Sequence, residues 1–187
     1  MSTLTKYHAN LNIPVEFEDF EPPSQLFLEK NLPIKNISNE FKDWLSSLGI
    51  ILTRCVFFCS PPHRTYRPHT DGSFFDHEDW AKINIIFNST DTTMSWYNAH
   101  EDSKEGYLET NTQGKIIRYW DPKHCDVLYQ TPVNQNCLIN GTVIHDLKNG
   151  PNNGNMRSCY SMWIADKETK QLLSWNDAAT RLAPFIF

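Results

Sequence analysis

The residues able to do chemistry together in this chain are His69 and Asp71, a distant His145, and Arg157 twelve positions beyond it. In an extended strand, residues i and i+2 point to the same face. His69-Thr70-Asp71 can therefore present an imidazole and a carboxylate side by side. A borderline nitrogen donor next to a hard oxygen donor, completed by a second imidazole from His145, makes a ligand set suited to Fe(II) with coordination positions left open. A His-x-Asp pair alone occurs by chance in many chains, and its plain alternative is a hydrogen-bonded pair on a surface loop.

The second half of the set adds weight. His145 closes the apolar run Cys137-Leu138-Ile139-Asn140-Gly141-Thr142-Val143-Ile144, and Arg157 opens Ser158-Cys159-Tyr160-Ser161-Met162-Trp163-Ile164. Between them lies Asn149-Gly150-Pro151-Asn152-Asn153-Gly154, which has turn chemistry and nothing else. The pattern predicts an antiparallel hairpin with its tip near Pro151, setting His145 and Arg157 opposite each other across the ladder. Directly opposed side chains have Cβ atoms about 5 Å apart. A dicarboxylate cosubstrate such as 2-oxoglutarate would chelate iron through its keto acid end, and the planar fork of an arginine would fix its far carboxylate. The same strand parity turns Cys159, Ser161 and Trp163 inward beside Arg157, with Ser161 a further candidate for holding the anion.

The elements that must position these residues are mostly strands. After an irregular, proline-rich N-terminal arm with a short strand near 15–17, Phe41, Trp44, Leu45 and Leu48 predict a helix over 39–48 with Gly49 as its stop. It is expected to pack on the outside of a sheet. Strands are predicted at 50–59, 83–88, 92–97, 115–119, 127–130, 136–147 and 157–165, separated by turn residues. Seven short strands indicate a sandwich or barrel-like all-β core. The tail, 172–187, is expected to hold a short helix stopped by Pro184. This divides a single domain into an arm and helix (1–49), a core (50–165) and a C-terminal tail (166–187).

With His69, Asp71, His145 and Arg157 in that order, the chain resembles the 2-oxoglutarate and Fe(II)-dependent oxygenase superfamily. The stretches Phe57-Phe58-Cys59-Ser60-Pro61-Pro62, Pro68-His69-Thr70-Asp71-Gly72, Lys82-Ile83-Asn84-Ile85-Ile86-Phe87 and Met94-Ser95-Trp96-Tyr97 are similar to oxygenase-like proteins common in marine phage and bacterial sequences. The resemblance covers about 50–165. It implies a mainly β fold, the double-stranded β-helix or cupin-like jelly roll, with a few flanking helices. It further implies a dioxygenase that uses O2 and 2-oxoglutarate, hydroxylates its substrate, and releases succinate and CO2. Many members have serine two residues after the arginine, where this chain has Cys159. Asp71 is retained where halogenating relatives have a small residue, so the resemblance implies hydroxylation.

Several other residues have two readings. Asn84 has a family-like position for touching the cosubstrate, or is a strand amide satisfied by backbone or water. Tyr97 and Tyr66 can donate a phenolic hydrogen bond to the far carboxylate, or simply pack. Arg67 faces the side of His69 as a substrate contact or a solvated rim arginine. His63 is the rival for the metal because it lies close before His69, whereas His8, His77, His100 and His124 lack ligand spacing. The acidic run Asp76-His77-Glu78-Asp79 is a loop tip beside the iron motif, a lid or a solvated charge cluster.

Composition limits the remaining classes. A formal charge of −5 over 187 residues disfavours a nucleic-acid partner, whose affinity is built from clustered Lys and Arg. The five cysteines form no CxxC pair and are odd in number. With no apolar signal segment at the N-terminus, they read as reduced thiols of a cytoplasmic protein, packed as small apolar side chains. No apolar run approaches a membrane span. The substrate, a small molecule or a protein side chain, and the oligomeric state are not specified. Two alternatives remain: a cupin-type metalloenzyme that uses the same ligands without 2-oxoglutarate, and a β-sandwich binding module without catalysis.

Overall fold

Alternation along the last strand shows how the molecule is layered. In the computed structural model, which describes residues 5–16, 28–71, 80–89, 91–110 and 116–187, the strand Arg157–Asp166 sends Tyr160, Met162 and Ile164 into one large apolar cluster and Trp163 into another. The strands in chain order are β1 (His8–Asn10), β2 (Leu28–Leu32), β3 (Ile50–Ser60), β4 (His69–Thr70), β5 (Ala81–Phe87) and β6 (Thr93–Ala99). They continue with β7 (Tyr107–Thr110), β8 (Ile116–Tyr119), β9 (Cys125–Pro132), β10 (Cys137–Asn140), β11 (His145–Lys148) and β12 (Arg157–Asp166). Two helices, α1 (Asn39–Ser47) and α2 (Trp175–Leu182), flank them.

The strands form two six-stranded sheets, ordered β1-β10-β5-β12-β3-β2 and β7-β8-β4-β11-β6-β9. Every pairing between named strands is antiparallel. From β3 to β6, and again from β9 to β12, successive strands alternate between the sheets. That alternation is the jelly-roll winding, and the molecule is mainly β as its strand grammar implies.

The main apolar core lies outside the first sheet, under the helices. Ser38 caps α1 by accepting from the Phe41 amide at 3.1 Å, and the helix then buries Phe41 and Leu45 completely. α2, capped by Ser174, adds Trp175, Ala178, Ala179 and Leu182 to the same cluster, facing Cys55, Phe57, Ile83, Ile85, Leu138 and Met162 of the sheet. Truncating a buried side chain such as Leu45 to alanine costs about 2–5 kcal/mol. The space between the sheets is filled differently. Apolar clusters stand at its two ends, one around Tyr7, Met94, Trp96 and Ile139, the other around Val56, Trp80 and Trp163. The polar residues of the first sheet's inner face lie between them.

Two predictions are corrected here. The segment 136–147 is not one strand. β10 joins the first sheet beside β5, and after Asn140 the chain crosses to the second sheet as β11. Nor do β11 and β12 form a hairpin. Both edges of β11 are taken by β4 and β6, and both edges of β12 by β3 and β5. The 149–156 segment is a connection from sheet to sheet, turned by left-handed backbone at Asn152 and Asn153 (φ 50° and 51°) and anchored by the Asn152 amide on Asp91 at 2.8 Å.

The N-terminal arm is more ordered than its prolines suggest. β1 and β2 form the two edges of the first sheet. The strand expected near 15–17 does not form at Val15 or Glu16, and Phe17 lies outside the described residues. All five cysteines are free, and four of them are buried. Burial pushes the Cys55 and Cys137 thiols up to about 12, so they pack as inert side chains. Among the described residues, no helix is long and apolar enough to cross a membrane.

Candidate metal centre

β4 is only two residues long, but it is wedged between β8 and β11, so that His69 is in register with Tyr119 on one side and His145 on the other. Cross-strand partners share a face, and the two imidazole centroids are 4.7 Å apart. Asp71 follows directly, its amide held by the Gly141 carbonyl at 3.1 Å. One donor atom from each of His69, Asp71 and His145 lies within 4.8 Å of the others.

The tautomers follow from the hydrogen bonds. Nδ1 of His69 lies 2.8 Å from the Arg67 carbonyl, and Nδ1 of His145 lies 2.8 Å from the Val143 carbonyl. A carbonyl only accepts, so each Nδ1 carries a proton, which leaves Nε2 as the ring nitrogen that can ligate a metal. Both Nε2 atoms face Asp71, at 3.9 Å from Oδ1 for His69 and 3.3 Å from Oδ2 for His145. Backbone carbonyls that orient the outer ring nitrogen are the usual support of a metal-binding histidine. Burial and the neighbouring His145 push His69 down to about 4, partly opposed by Asp71, so its imidazole is neutral near pH 7. Burial pushes the Asp71 carboxyl up, yet Lys82 and His145 outweigh that and hold it well below the usual carboxylate range. The site thus presents a neutral His69 imidazole, the imidazole of His145 and a carboxylate. The side chains of His69 and Asp71 remain 19% and 15% exposed while His145 is 3% exposed, so the set opens on one side only.

Two residues that sequence reasoning missed shape this centre. Lys82, buried on β5, pairs its ammonium with Asp71 Oδ2 and lies 5.3 Å over the Trp163 ring. The signal was a lone charge between Ala81 and Ile83 in a strand whose other polar residue is Asn84. Gly141 accepts from the Asp71 amide and donates to the Trp80 carbonyl at 3.2 Å. A Cβ there would stand 2.8 Å from the Trp80 ring and 3.3 Å from Asp71 Oδ2, so the glycine supplies room.

The inner face of the first sheet continues the site. Ser161 and Asn84 are register partners, and Cys137 pairs with Asn84 from the other side. Arg157 pairs with Ser60 and is 5% exposed. Its charge acts on Cys159, Cys137 and Tyr66, so the guanidinium lies between the sheets. His145 and Arg157 therefore face one space from opposite sheets, not from neighbouring strands. Arg157 Nε, Asn84 Oδ1, Ser161 Oγ and Trp96 Nε1 are all buried without a hydrogen-bond partner among the described residues. Three of these groups are on the inner face of the first sheet and Trp96 is on the second, and buried polar groups left unpartnered are costly unless something binds them. The donors among them, Arg157 Nε, Ser161 Oγ and Trp96 Nε1, fit a small anion held at Arg157.

Tyr97 is not brought to this space. Its hydroxyl donates to Asp146 Oδ2 at 2.7 Å, and Asp146 alternates with the inward-facing His145 and Leu147. Tyr66 is the tyrosine near Arg157, its phenol sharing a hydrogen bond with Ser60. Arg67 is at the rim, paired with Glu109 at 2.9 Å and lying 4.2 Å over the Tyr119 ring. His63 is exposed with φ 60° and stands outside the cluster. The acidic run 76–79, His77 included, lies outside the described residues. His100 and His124, which lack ligand spacing in sequence, come together in space with Asp102.

No protein-family model and no curated protein matches the chain. Among solved structures it is similar to a Pseudomonas putida prolyl-4-hydroxylase, at 14% identity over 73% of this chain and 70% of that one, with a TM-score of 0.39. It is also similar to AviO1 from Streptomyces viridochromogenes Tue57, at 11% identity over 91% and 78% of the two chains, with a TM-score of 0.45. A cupin 2 domain-containing protein from Halorhodospira halophila is similar at 11% identity over 94% and 88%, with a TM-score of 0.31. The likeness is of fold alone.

Proposed function

We propose that the chain is an Fe(II)- and 2-oxoglutarate-dependent oxygenase that hydroxylates a small molecule or a protein side chain. The observation that carries this reading is the pairing of a His69, Asp71 and His145 donor set with an inward guanidinium, Arg157, whose Nε has no hydrogen-bond partner among the described residues. Iron(II) and 2-oxoglutarate, when bound, would supply the reductive activation of O2, with succinate and CO2 as the other products.

The residues of the chain do the rest. His69 and His145 offer Nε2 because their Nδ1 protons are committed to Arg67 and Val143 carbonyls. Asp71 offers a carboxylate that Lys82 keeps ionised. Arg157 would hold the far carboxylate of the cosubstrate in a two-point, charge-assisted contact, with Ser161 and Asn84 beside it on the same face. Trp80 and Trp163, stacked at 5.8 Å, wall one end of the space and keep water from it. Tyr119, with its ring 6.0 Å from His69, lines the open side where substrate would approach.

The test is an anaerobic titration with Fe(II) and then 2-oxoglutarate, followed by admission of O2 and measurement of succinate. A weak visible charge-transfer band and stoichiometric succinate are expected, both lost in Asp71→Ala. No band, together with turnover that persists without 2-oxoglutarate, would refute the proposal in favour of a metalloenzyme that uses Arg157 to hold the substrate itself.

A further inference from the structure

We infer that the chain has a second divalent-metal site, in which His100, Asp102 and His124 bind a borderline transition metal such as zinc and clip the base of the β7–β8 hairpin. This site is separate from the centre at His69, Asp71 and His145, and it stands whether or not that centre is an oxygenase site.

One ligand atom from each of His100, Asp102 and His124 lies within 4.8 Å of the others. A tetrahedral zinc with nitrogen and oxygen ligands at its usual bond lengths holds those atoms about 3.4 Å apart. Small side-chain rotations close the difference, because the backbone already fixes the residues. The His100 amide donates to the His124 carbonyl at 2.9 Å, the Ser103 amide to the His100 carbonyl at 3.0 Å, and the His124 amide to the Asp121 carbonyl at 2.9 Å. Both histidines are half-buried. A fourth donor is at hand, since Asp126 Oδ1 is 3.4 Å from His100 Nε2. Asp102 and His124 also line a cavity of about 450 Å³ that reaches Trp120 and Tyr107, so a metal there has room for a water or a small ligand.

The placement gives the metal a purpose. His100 and Asp102 lie on the turn that leads from β6 into β7, and His124 lies on the turn that leads from β8 into β9. The cluster therefore joins the two ends of the β7–β8 hairpin at its base. β7 is an exposed edge strand, and among the described residues the hairpin's strand pairing to the rest of the sheet runs through β4, by two register pairs, His69 with Tyr119 and Thr70 with Arg118, beside side-chain contacts from Arg67 to Tyr107 and Glu109. That short ladder gives little support, and the hairpin carries Tyr119 beside His69 and Glu109 against Arg67. A metal across the base would hold this wall of the main site in place.

Dialysis against zinc alone, with metal counted by elemental analysis, tests the inference on the full chain. Wild type should retain about two zinc ions per chain, the His69→Ala/Asp71→Ala variant about one, and the His100→Ala/His124→Ala variant about one. Zinc should also raise the melting temperature of the His69→Ala/Asp71→Ala variant. As a readout that needs no substitution, Co(II) added to wild type should broaden the ring resonances of His100 and His124 in proton NMR as well as those of His69 and His145. The inference is overturned if broadening is confined to His69 and His145, or if zinc bound by the His69→Ala/Asp71→Ala variant is unaffected by adding His100→Ala/His124→Ala.

Discussion

Replacing Gly141 by alanine tests the geometry of the metal centre more sharply than removing a ligand does. The glycine has no unusual backbone angle, so the substitution adds only a methyl group in a known place. That methyl would meet Trp80 ring atoms at 2.8 and 2.9 Å and Asp71 Oδ2 at 3.3 Å. Carbon atoms rest about 3.5–4.0 Å apart, so Trp80 must retreat by roughly 1 Å, against its stack on Trp163 at 5.8 Å. Overpacking of this kind costs about 1–3 kcal/mol of stability. Gly141 also holds the Asp71 amide, so the shift reaches the carboxylate. Loss of such support around a ligand lowers metal affinity about 10- to 100-fold. Gly150→Ala serves as the control, because its methyl would crowd Asp91, with the Asp91 carbonyl oxygen at 2.8 Å, away from the ligands. Isothermal titration with Co(II), alongside urea melts, separates the effects. Both variants should lose stability, and only Gly141→Ala should lose affinity. Unchanged Co(II) affinity in Gly141→Ala would refute the idea that this glycine positions Asp71.

Arg157→Met keeps length and removes the buried charge. Losing a charge-assisted contact worth about 2–3 kcal/mol raises the KM for 2-oxoglutarate roughly 30- to 150-fold, with metal affinity unchanged, and an unaltered KM would remove Arg157 from the anion site. Tyr97→Phe should leave that KM alone, yet lower stability by about 1–3 kcal/mol by stripping the donor from half-buried Asp146. A KM effect would instead place Tyr97 in the pocket. Burial holds His8, 1% exposed, down at about 4. The unfolded chain then binds more protons than the folded one as pH falls from 6.5 toward 4, so this contribution is present above pH 6.5 and is lost on acidification. Between pH 7 and 5 the loss is on the order of 2 kcal/mol. Urea melts at the two values should show a smaller difference in His8→Phe, with the remainder due to His69. An identical difference would mean that His8 is already charged in the folded chain.

The segments of the fold were largely legible because strand and helix grammar is local. The helix at 39–48 ends one residue early, and the strand at 50–59 runs one residue further, to Ser60. Local grammar failed where one apolar run serves two sheets. Nothing in Cys137 through Leu147 marks the crossing after Asn140 except Gly141, whose role is space beside Trp80. The 149–156 turn has the composition of a hairpin loop, and only the occupied edges of β11 and β12 show that it is not one. The N-terminal arm was misjudged for a related reason. β1 and β2 are held by pairing with β10 and β3, far along the chain, against weak local preference.

By itself, the sequence determined the donor types and their parity. A histidine and an aspartate two positions apart share a face in any extended chain, and Arg157, Ser161 and Trp163 share one along a single strand. These are constraints of backbone geometry, and they hold before any partner is chosen. The tertiary structure decided the partners. It set His145 beside His69 through the two-residue β4, put Arg157 on the opposite sheet, turned Tyr97 away to Asp146, placed Lys82 against Asp71, and gathered His100, Asp102 and His124 at the base of a hairpin. Each of these depends on which strand lies next to which. That is settled by long-range ladders and by burial under α1 and α2, to which spacing along the chain is blind.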